Sequence, residues 1–252
     1  MLNIVIPMAG AGSRFANNGY KEPKPLIPIC GVPMIKVIIN NLRPNGQHRF
    51  IFICQQEHID THGLTKKLST WSPGCEVIGL NAITDGAACT VLSARRFIDN
   101  MSPLMIANSD QYVDIDINNY LQALSKSTLD GLIMTMKAND PKWSFIGLNN
   151  HGLVERVVEK TVISDEATVG IYNFKRGCDY VMAADSMIAS NLRVNNEFYV
   201  APTYNQLIKE GHKIGIYNVG REGEGMYGLG IPSDLDYFLS HPIHIKATSI
   251  IN

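Results

Sequence analysis

The sequence lacks several features that would assign it to a common class of protein. Its five cysteines are scattered and include no C-x-x-C pair, which argues against a zinc ribbon and a disulfide framework. Its 22 basic and 23 acidic residues nearly cancel, so the charge favours neither nucleic acid nor an acidic membrane as a partner. No apolar run approaches the roughly 18 residues of a membrane span, and no basic segment precedes the first apolar run. We therefore expect a cytoplasmic protein that binds neither nucleic acid nor membrane.

The chain also lacks internal repeats, low-complexity tracts and blocks of like charge. Because hexapeptide repeats are missing, no C-terminal β-helix is expected. With 45% hydrophobic residues among 252, a sizeable core can form without disulfides or metals. No linker-like composition divides the sequence, so we expect one domain over residues 1–252.

Short β-branched runs alternate with longer helical patterns, which predicts an α/β sheet covered by helices on both faces. Strands are predicted at Asn3–Ile6, Arg49–Cys54, Glu76–Leu80, Leu104–Ala107, Gly131–Lys137, Phe145–Leu148, Leu153–Glu159, Thr168–Phe174 and Lys213–Val219. Helices are predicted at Met34–Leu42, Ala87–Ile98, Ile117–Ser125, Cys178–Ser190, Pro202–Glu210 and Ser233–Leu239. The spacing in the second half indicates a mixed rather than a purely parallel sheet.

A loop of small residues follows the first predicted strand. Gly10, Ala11 and Gly12 leave the backbone accessible, and converging N–H groups in such a turn can hold a phosphate. Two common phosphate motifs do not match, since G-x-G-x-x-G would need glycine where Phe15 stands and no Gly-Lys-Ser/Thr follows. An ordinary tight turn remains the alternative.

Two cations flank this loop in different ways. Arg14 lies inside it, whereas Lys24 stands between Pro23 and Pro25. Proline fixes the backbone angle φ, so Lys24 is presented from a stiff segment. Together the two side chains could clamp a polyphosphate from two sides, although a solvated loop lysine is the alternative.

The segment "GAGSRF" followed by "KPLIPICGVPMI" resembles the signature of the sugar-phosphate nucleotidyltransferases, also called pyrophosphorylases. The resemblance implies an α/β, Rossmann-like (GT-A-like) fold with a mostly parallel, mixed central sheet flanked by helices and a small acceptor-binding lobe. It places nucleotide binding at about residues 1–130 and acceptor binding at about residues 131–240. It makes Arg14 and Lys24 the catalytic residues. The nucleotide-binding residues implied in the loop are Ala9, Gly10, Ala11, Gly12 and Ser13.

Two further motifs extend the resemblance to the nucleotide and the metal. "ITDGAACTVLSAR" is similar to the loop that meets the nucleotide base, which implies base contacts by Asp85 and Gly86; Asp85 is also expected to cap the next helix. "PLMIANSDQYVD" places Asp110 just past a buried strand, where the family has its metal-binding aspartate. A carboxylate beside a triphosphate suits Mg²⁺, the cofactor that the resemblance implies.

The later motifs of the family concern the acceptor. "RVVEKTVISDEATVGIYNF" resembles its Glu-Lys motif, which implies that Glu159 takes hydroxyl hydrogen bonds, Lys160 takes phosphate and Gly170 lines the pocket. Thr161 replaces the usual proline there. "NNEFYVAPTYNQLI" adds Glu197 as a candidate for the same pocket, with a charge at a helix start as the alternative.

One departure concerns a second metal-binding aspartate near the end of the family's sequence. This chain reads "GMYGLGIPSDL", and Gly228 stands where that carboxylate is expected. Either one aspartate and the phosphates suffice for the metal, or Glu222, Glu224 or Asp234 substitutes. The sequence leaves these alternatives open.

The resemblance implies transfer of a nucleoside monophosphate from a triphosphate to a phosphorylated small acceptor, most simply a sugar 1-phosphate, with release of pyrophosphate. Such an enzyme would serve nucleotide-sugar and polysaccharide biosynthesis. Two alternatives are a GT-A-type glycosyltransferase using a nucleotide-sugar donor and a nucleotide sensor without catalysis. The base, the acceptor and whether the chain forms a homo-oligomer are not readable from the sequence.

Overall fold

A computed structural model describes residues 1–249 of this protein. Strands and helices alternate along the chain. The strands are β1 (Leu2–Met8), β2 (Pro28–Ile29), β3 (Val32–Pro33), β4 (His48–Gln55), β5 (Glu76–Leu80), β6 (Leu104–Ala107), β7 (Gln111–Val113), β8 (Gly131–Lys137), β9 (Ser144–Leu148), β10 (Val154–Glu159), β11 (Glu166–Phe174), β12 (Ile214–Glu222) and β13 (Gly225–Gly228). The helices are α1 (Ser13–Ala16), α2 (Met34–Leu42), α3 (Gln56–His62), α4 (Leu64–Trp71), α5 (Ala87–Leu92), α6 (Arg95–Ile98), α7 (Ile117–Ser125), α8 (Gly177–Ala189), α9 (Tyr204–Lys209), α10 (Pro232–Ser240) and α11 (Ile243–Ser249). Short 3-10 turns form at Lys24–Leu26 and Ala201–Thr203.

One large sheet has the strand order β5-β4-β1-β6-β11-β8-β12-β13-β7, with β9 pairing β10 and β11. Strands β5, β4, β1 and β6 are parallel, whereas β11 is antiparallel to both β6 and β8. The predicted α/β class with a mixed central sheet flanked by helices is confirmed. Because β1, β4 and β6 are parallel, the loops that follow them meet at one edge, where open α/β sheets bind ligands.

Alternate residues of the strands are buried on opposite faces of the sheet. In β1, Ile4 and Ile6 pack into the core that contains α2, whereas Val5 packs into the core that contains Val91 of α5 and Ala184 of α8. Burial of each large aliphatic side chain contributes about 1.5–3 kcal/mol. Every residue of β11 is buried, so this strand is held firmly between the two halves of the sheet.

The helix predicted over Ala87–Ile98 is two helices, α5 and α6. Between them the hydrogen bonds are of the 3-10 type, because the N–H groups of Ser93 and Ala94 donate to the carbonyls three residues earlier. Ala94 has φ −89° and ψ 8°, which ends the α-helical pattern. Similarly, the helix predicted over Pro202–Glu210 is a 3-10 turn followed by α9.

Helices α3 and α4 lie where no element is predicted. Helix α3 buries none of its residues, so it has no apolar periodicity that a sequence pattern could show. Gly63, with φ 61°, separates the two helices. Among residues 1–249, no helix is both long and apolar enough to cross a membrane. The division into parts at about 1–130 and about 131–240 stays a prediction.

Candidate active site

The loop after β1 exposes backbone N–H groups at the edge of the sheet. Gln55, at the end of β4, donates through its side-chain amide to the carbonyls of Ala9 and Gly10, at 3.3 and 2.8 Å. Gly12 has φ 62° and begins α1. Among the described residues, the N–H groups of residues 10–13 have no hydrogen-bond acceptor. Such a run of free amides can hold a phosphate.

Lys24 lies against this loop and contacts Asp110. The prolines on both sides of it place Lys24 at the start of a 3-10 turn, and a Cβ atom on Gly12 would lie 3.7 Å from the Lys24 Cβ. The Lys24 ammonium group forms an ion pair with the Asp110 carboxylate. Their side chains are 21% and 18% exposed, so the pair is accessible to a ligand. The structure thus brings three predicted site residues together, Gly12, Lys24 and Asp110.

These residues line a cavity of about 490 Å³. Its walls are the loop after β1, the segment that contains Lys24, one face of α3 and the residues after β6. The residues of α3 in this wall, which are not among the predicted site residues, are Glu57, His58, Thr61 and His62. His62 also lies 3.5 Å from the carboxylate of Glu22, which joins α3 to the segment that contains Lys24.

A second cavity, of about 350 Å³, contains the predicted acceptor residues. Glu159, Lys160, Gly170 and Glu197 all line it, together with Arg14. They come from the end of β10, from β11 and from the loop before the second 3-10 turn. Five residues from four separate segments of the sequence therefore face one volume. Their roles stay predictions, but their proximity is what the predicted roles require.

Glu159 and Lys160 have partners inside this cavity. Glu159 is 7% exposed and accepts a hydrogen bond from the Ser144 hydroxyl. Burial raises the pKa of Glu159 above its ordinary value, while Ser144 and Lys160 act in the opposite direction. Lys160 donates to the Tyr199 hydroxyl at 2.6 Å, and this hydrogen bond raises the lysine pKa.

Gly170 is at a point of close approach within β11. Its φ is +80°, and a Cβ atom would lie 2.3 Å from Gln111 Oε1 and 2.4 Å from Asn108 Nδ2. The pairing of β11 with β8 shifts register between Thr168 and Tyr172, which accommodates this conformation. Glycine is therefore the residue that lets two polar side chains lie over the strand and face the cavity.

Asp85 and Gly86 line neither cavity, although the next residue, Ala87, lines the second one. The prediction that Asp85 caps α5 is wrong, because Gly86 is the N-cap residue and no side chain caps the helix. The Asp85 carboxylate instead pairs with Arg193 at 3.1 Å. At Gly86, with φ +125°, a Cβ atom would lie 2.5 Å from the Phe198 carbonyl oxygen. The glycine is thus needed for close packing of two backbones, and contact with a base stays a prediction.

Several polar residues in the second cavity were missed by sequence reasoning. They are Asn108, Gln111, Lys142 and Tyr199, and Trp143 lines the same cavity. Asn108 and Gln111 flank Asp110 in the same motif, which was the available signal. Gln111 Oε1 and Trp143 Nε1 are buried without a hydrogen-bond partner among residues 1–249. Buried polar atoms of this kind normally have partners, so both atoms suit hydrogen bonds to a ligand.

The chemistry of Asp110 fits the implied Mg²⁺. Within the described part of the chain, no group of three or more His, Cys, Asp or Glu residues is arranged to hold a metal alone. Mg²⁺ commonly takes one or two carboxylates and completes its shell with phosphates and water. The Asp110 carboxylate already has a cation beside it, the Lys24 ammonium group. Mg²⁺ requires a hard oxygen donor, and the Asp110 carboxylate provides one in this position.

Asp234 lies in the first turn of α10, near the same carboxylate. Burial raises the pKa of Asp234 above its ordinary value, and the charges of Glu222 and Asp110 add to this effect. Lys142 and Arg14 act in the opposite direction. Asp234 is therefore within electrostatic reach of residues from both cavities.

Comparisons with known proteins show the family and the fold of this chain. The model of the Nucleotidyl transferase family matches residues 4–206. Bifunctional protein GlmU of Bacillus mycoides (strain KBAB4) is 23% identical over 221 residues, which cover 84% of this chain and 46% of GlmU. The chain thus spans about half the length of the curated relatives that it matches.

Solved structures extend the comparison. The nucleoside-diphosphate-sugar pyrophosphorylase of Vibrio cholerae RC9 has a TM-score of 0.78 and 26% identity, covering 94% of this chain and 100% of that one. The inositol-1-phosphate CTP transferase of T. maritima has a TM-score of 0.75 at 13% identity, covering 99% and 97%, which shows a shared fold. With the family model matching most of its length, the chain belongs to the nucleotidyl transferase family.

Proposed function

We propose that this protein transfers a nucleoside monophosphate from a nucleoside triphosphate to a sugar phosphate, most simply a sugar 1-phosphate, and releases pyrophosphate. The product would be a nucleotide sugar for polysaccharide synthesis. The observation that supports this best is that Asn108 lines both cavities. The cavity that contains the loop after β1, Lys24 and Asp110 therefore adjoins the cavity that contains Glu159 and Lys160. Transfer between two bound phosphates requires two adjoining sites of this kind.

The proposed reaction is a substitution at the α-phosphorus of the triphosphate. An oxygen of the acceptor phosphate forms the new bond to this phosphorus, and the bond to the β-phosphate oxygen breaks with its electron pair leaving on pyrophosphate. The acceptor oxygen is already anionic, so no general base is needed. The protein contributes by aligning two anions and neutralising the charge that develops between them.

The cations have separate parts in this scheme. Arg14 would hold the departing pyrophosphate, and Lys24 would bridge the α-phosphate and the acceptor phosphate. Arg14 has no side-chain partner among residues 1–249, so its charge is available. Asp110 would hold Mg²⁺, which when bound neutralises phosphate charge. Lys24 would then exchange its contact with Asp110 for contacts with phosphate oxygens.

The charges of the acceptor cavity favour a polyhydroxylated acceptor over a cationic one such as phosphocholine. Lys142 Nζ lies 4.8 Å from the Trp143 ring centre, and Lys160 Nζ lies 4.8 Å from the Tyr199 ring centre. A positive charge therefore already lies beside each aromatic ring that could attract a quaternary ammonium group. Glu159 can instead accept hydrogen bonds from sugar hydroxyls.

The test is pyrophosphate release with Mg²⁺, for each of the four ribonucleoside triphosphates and dTTP against a panel of sugar and alcohol phosphates. Lys24→Ala is the inactive variant, and Lys209→Ala, which removes an exposed lysine of α9, is the matched control. We expect release that needs one triphosphate and one sugar phosphate, persists in Lys209→Ala and is lost in Lys24→Ala. Triphosphate binding without release from any pair would favour a sensor. In a parallel incubation with nucleotide sugars, release of nucleoside diphosphate would indicate a glycosyltransferase.

A further inference from the structure

Two glycines leave a gap between the Asp110 and Asp234 carboxylates. A Cβ atom on Gly230 would lie 3.1 Å from Asp110 Oδ2 and 3.9 Å from Asp234 Oδ2. A Cβ atom on Gly228 would lie 3.2 Å from Asp234 Oδ2. The two carboxylates therefore face the same small volume. Asp234 reaches into the space that a side chain at position 228 would occupy.

The backbone fixes this arrangement from two directions. Gly228 in β13 pairs with Gln111 in β7, and the N–H group of Leu229 donates to the Asp110 carbonyl at 2.7 Å. The chain then turns into α10, where the Asp234 N–H group donates to the Ile231 carbonyl at 3.1 Å. The first turn of α10 is thus held next to the end of β13, and its carboxylate points back toward Asp110.

The charges around the gap suit a cation. The Asp234 carboxylate has no hydrogen bond or ion pair among residues 1–249, and Asp110 has only the ammonium group of Lys24. Two carboxylates that face one volume repel each other unless a positive charge lies between them. The Lys24 ammonium group contacts Asp110. When Lys24 turns to phosphate, as proposed above, the positive charge beside Asp110 leaves, and a divalent cation can replace it.

We propose that Asp234 supplies the second carboxylate of the divalent-metal site whose first carboxylate is Asp110, in place of a residue at position 228. Contact can be direct or through a water molecule of the ion, because Mg²⁺ keeps several waters in proteins. This inference rests on the proposed function. The competing explanation is that Asp234 only stabilises the start of α10, since an acidic residue in the first turn interacts favourably with the helix dipole.

The test is direct binding of Mn²⁺, measured as the decrease in the electron paramagnetic resonance signal of free Mn²⁺ when protein is added. The variants are Asp110→Asn, Asp234→Asn and, as a matched control, Asp236→Asn, which changes an exposed carboxylate of the same helix. We expect Asp234→Asn to weaken Mn²⁺ binding at least about tenfold, the lower end of what losing a supporting residue costs at metal sites. Asp236→Asn should bind as the wild type does.

A double variant moves the carboxylate back to position 228. Gly228→Asp combined with Asp234→Asn places a carboxylate at position 228. The atom nearest to the new Cβ atom is then the end of the residue 234 side chain, a flexible amide that can move aside. Recovery of Mn²⁺ affinity in this protein would support a metal role, because helix stabilisation by residue 234 would not be restored.

The outcomes separate the two proposals. Unchanged Mn²⁺ affinity in Asp234→Asn, with loss in Asp110→Asn, would overturn the role of Asp234 and leave the proposed function intact. Absence of Mn²⁺ binding by the wild type would overturn the metal site as a whole, and the pyrophosphate-release assay then decides independently whether nucleotidyl transfer occurs. Equal weakening in Asp234→Asn and Asp236→Asn would indicate a non-specific charge effect and would also refute the inference.

Discussion

The substitution Gly170→Ala tests the link between a strained strand and acceptor binding. With φ +80°, alanine at this position would adopt the left-handed region at a cost of about 1–2 kcal/mol. The added methyl group would also displace Gln111 Oε1 and Asn108 Nδ2, which lie 2.3 and 2.4 Å from its position, and such overpacking costs about 1–3 kcal/mol. We therefore expect the free energy of unfolding to fall by about 2–5 kcal/mol, the sum of the two ranges.

Gly152→Ala is the matched control. Gly152 has φ +72° but no atom within 4 Å of the added methyl group, so it should lose only the backbone cost of about 1–2 kcal/mol. Urea unfolding measures the difference between the two variants, and initial rates of pyrophosphate release measure function. In Gly170→Ala the acceptor KM should rise about tenfold or more, equivalent to about 1.4 kcal/mol. Equal stability losses in the two variants, or an unchanged acceptor KM, would refute the reasoning.

Three further predictions concern charged residues of the two cavities. Arg14→Ala should lower kcat/KM for the triphosphate about 10²–10³-fold, the scale of a lost charge-stabilising donor, as measured by initial rates of pyrophosphate release. A loss no larger than that in Lys209→Ala would contradict the role of Arg14. Because burial raises the pKa of Glu159, its carboxyl group becomes protonated as pH falls through a value above the ordinary glutamate range, and the acceptor KM should rise there. The pH profile of acceptor KM should flatten in Glu159→Gln and move to higher pH in Ser144→Ala, which removes the hydrogen bond that lowers this pKa. Lys142→Met removes a positive charge from the second cavity, so it should raise the acceptor KM about tenfold, equivalent to about 1.4 kcal/mol, and leave the triphosphate KM unchanged. A change in the triphosphate KM alone would place Lys142 at the other substrate.

The strands and helices with strong apolar patterns were predictable from the sequence. Strands β5, β6 and β8 and helices α2 and α7 begin and end where the patterns predict, because local β-branched runs and helical periodicity agree with burial in the sheet. Helix α3 was not predictable, since a helix without buried residues has no periodicity. Strands β7 and β13 are short and form through pairing of distant residues, which no local pattern encodes.

The site follows the same division. Lys24 and Arg14 were predicted as site residues because the prolines and glycines around them form a clear local signature, and their catalytic roles stay predictions. Lys142 was not assigned a place, and Asp234 was one of three alternatives for the second metal-binding carboxylate, since each reaches the site only through pairing and packing of segments far away in sequence. Asp85 shows the opposite error, because a residue type that often caps helices binds Arg193 instead.

Asn108 has a consequence for how substrate preference can change during evolution. It lines both cavities, and its backbone N–H group donates to the Gly170 carbonyl at 3.0 Å. Under the proposed function, residues such as Glu197 and Tyr199, which line the second cavity but not the first, could vary and admit a different sugar phosphate without altering the triphosphate cavity. A substitution at Asn108 alters both walls at once. If the proposed function holds, diversification for new acceptors is expected to accumulate in the loops around the second cavity and to spare Asn108.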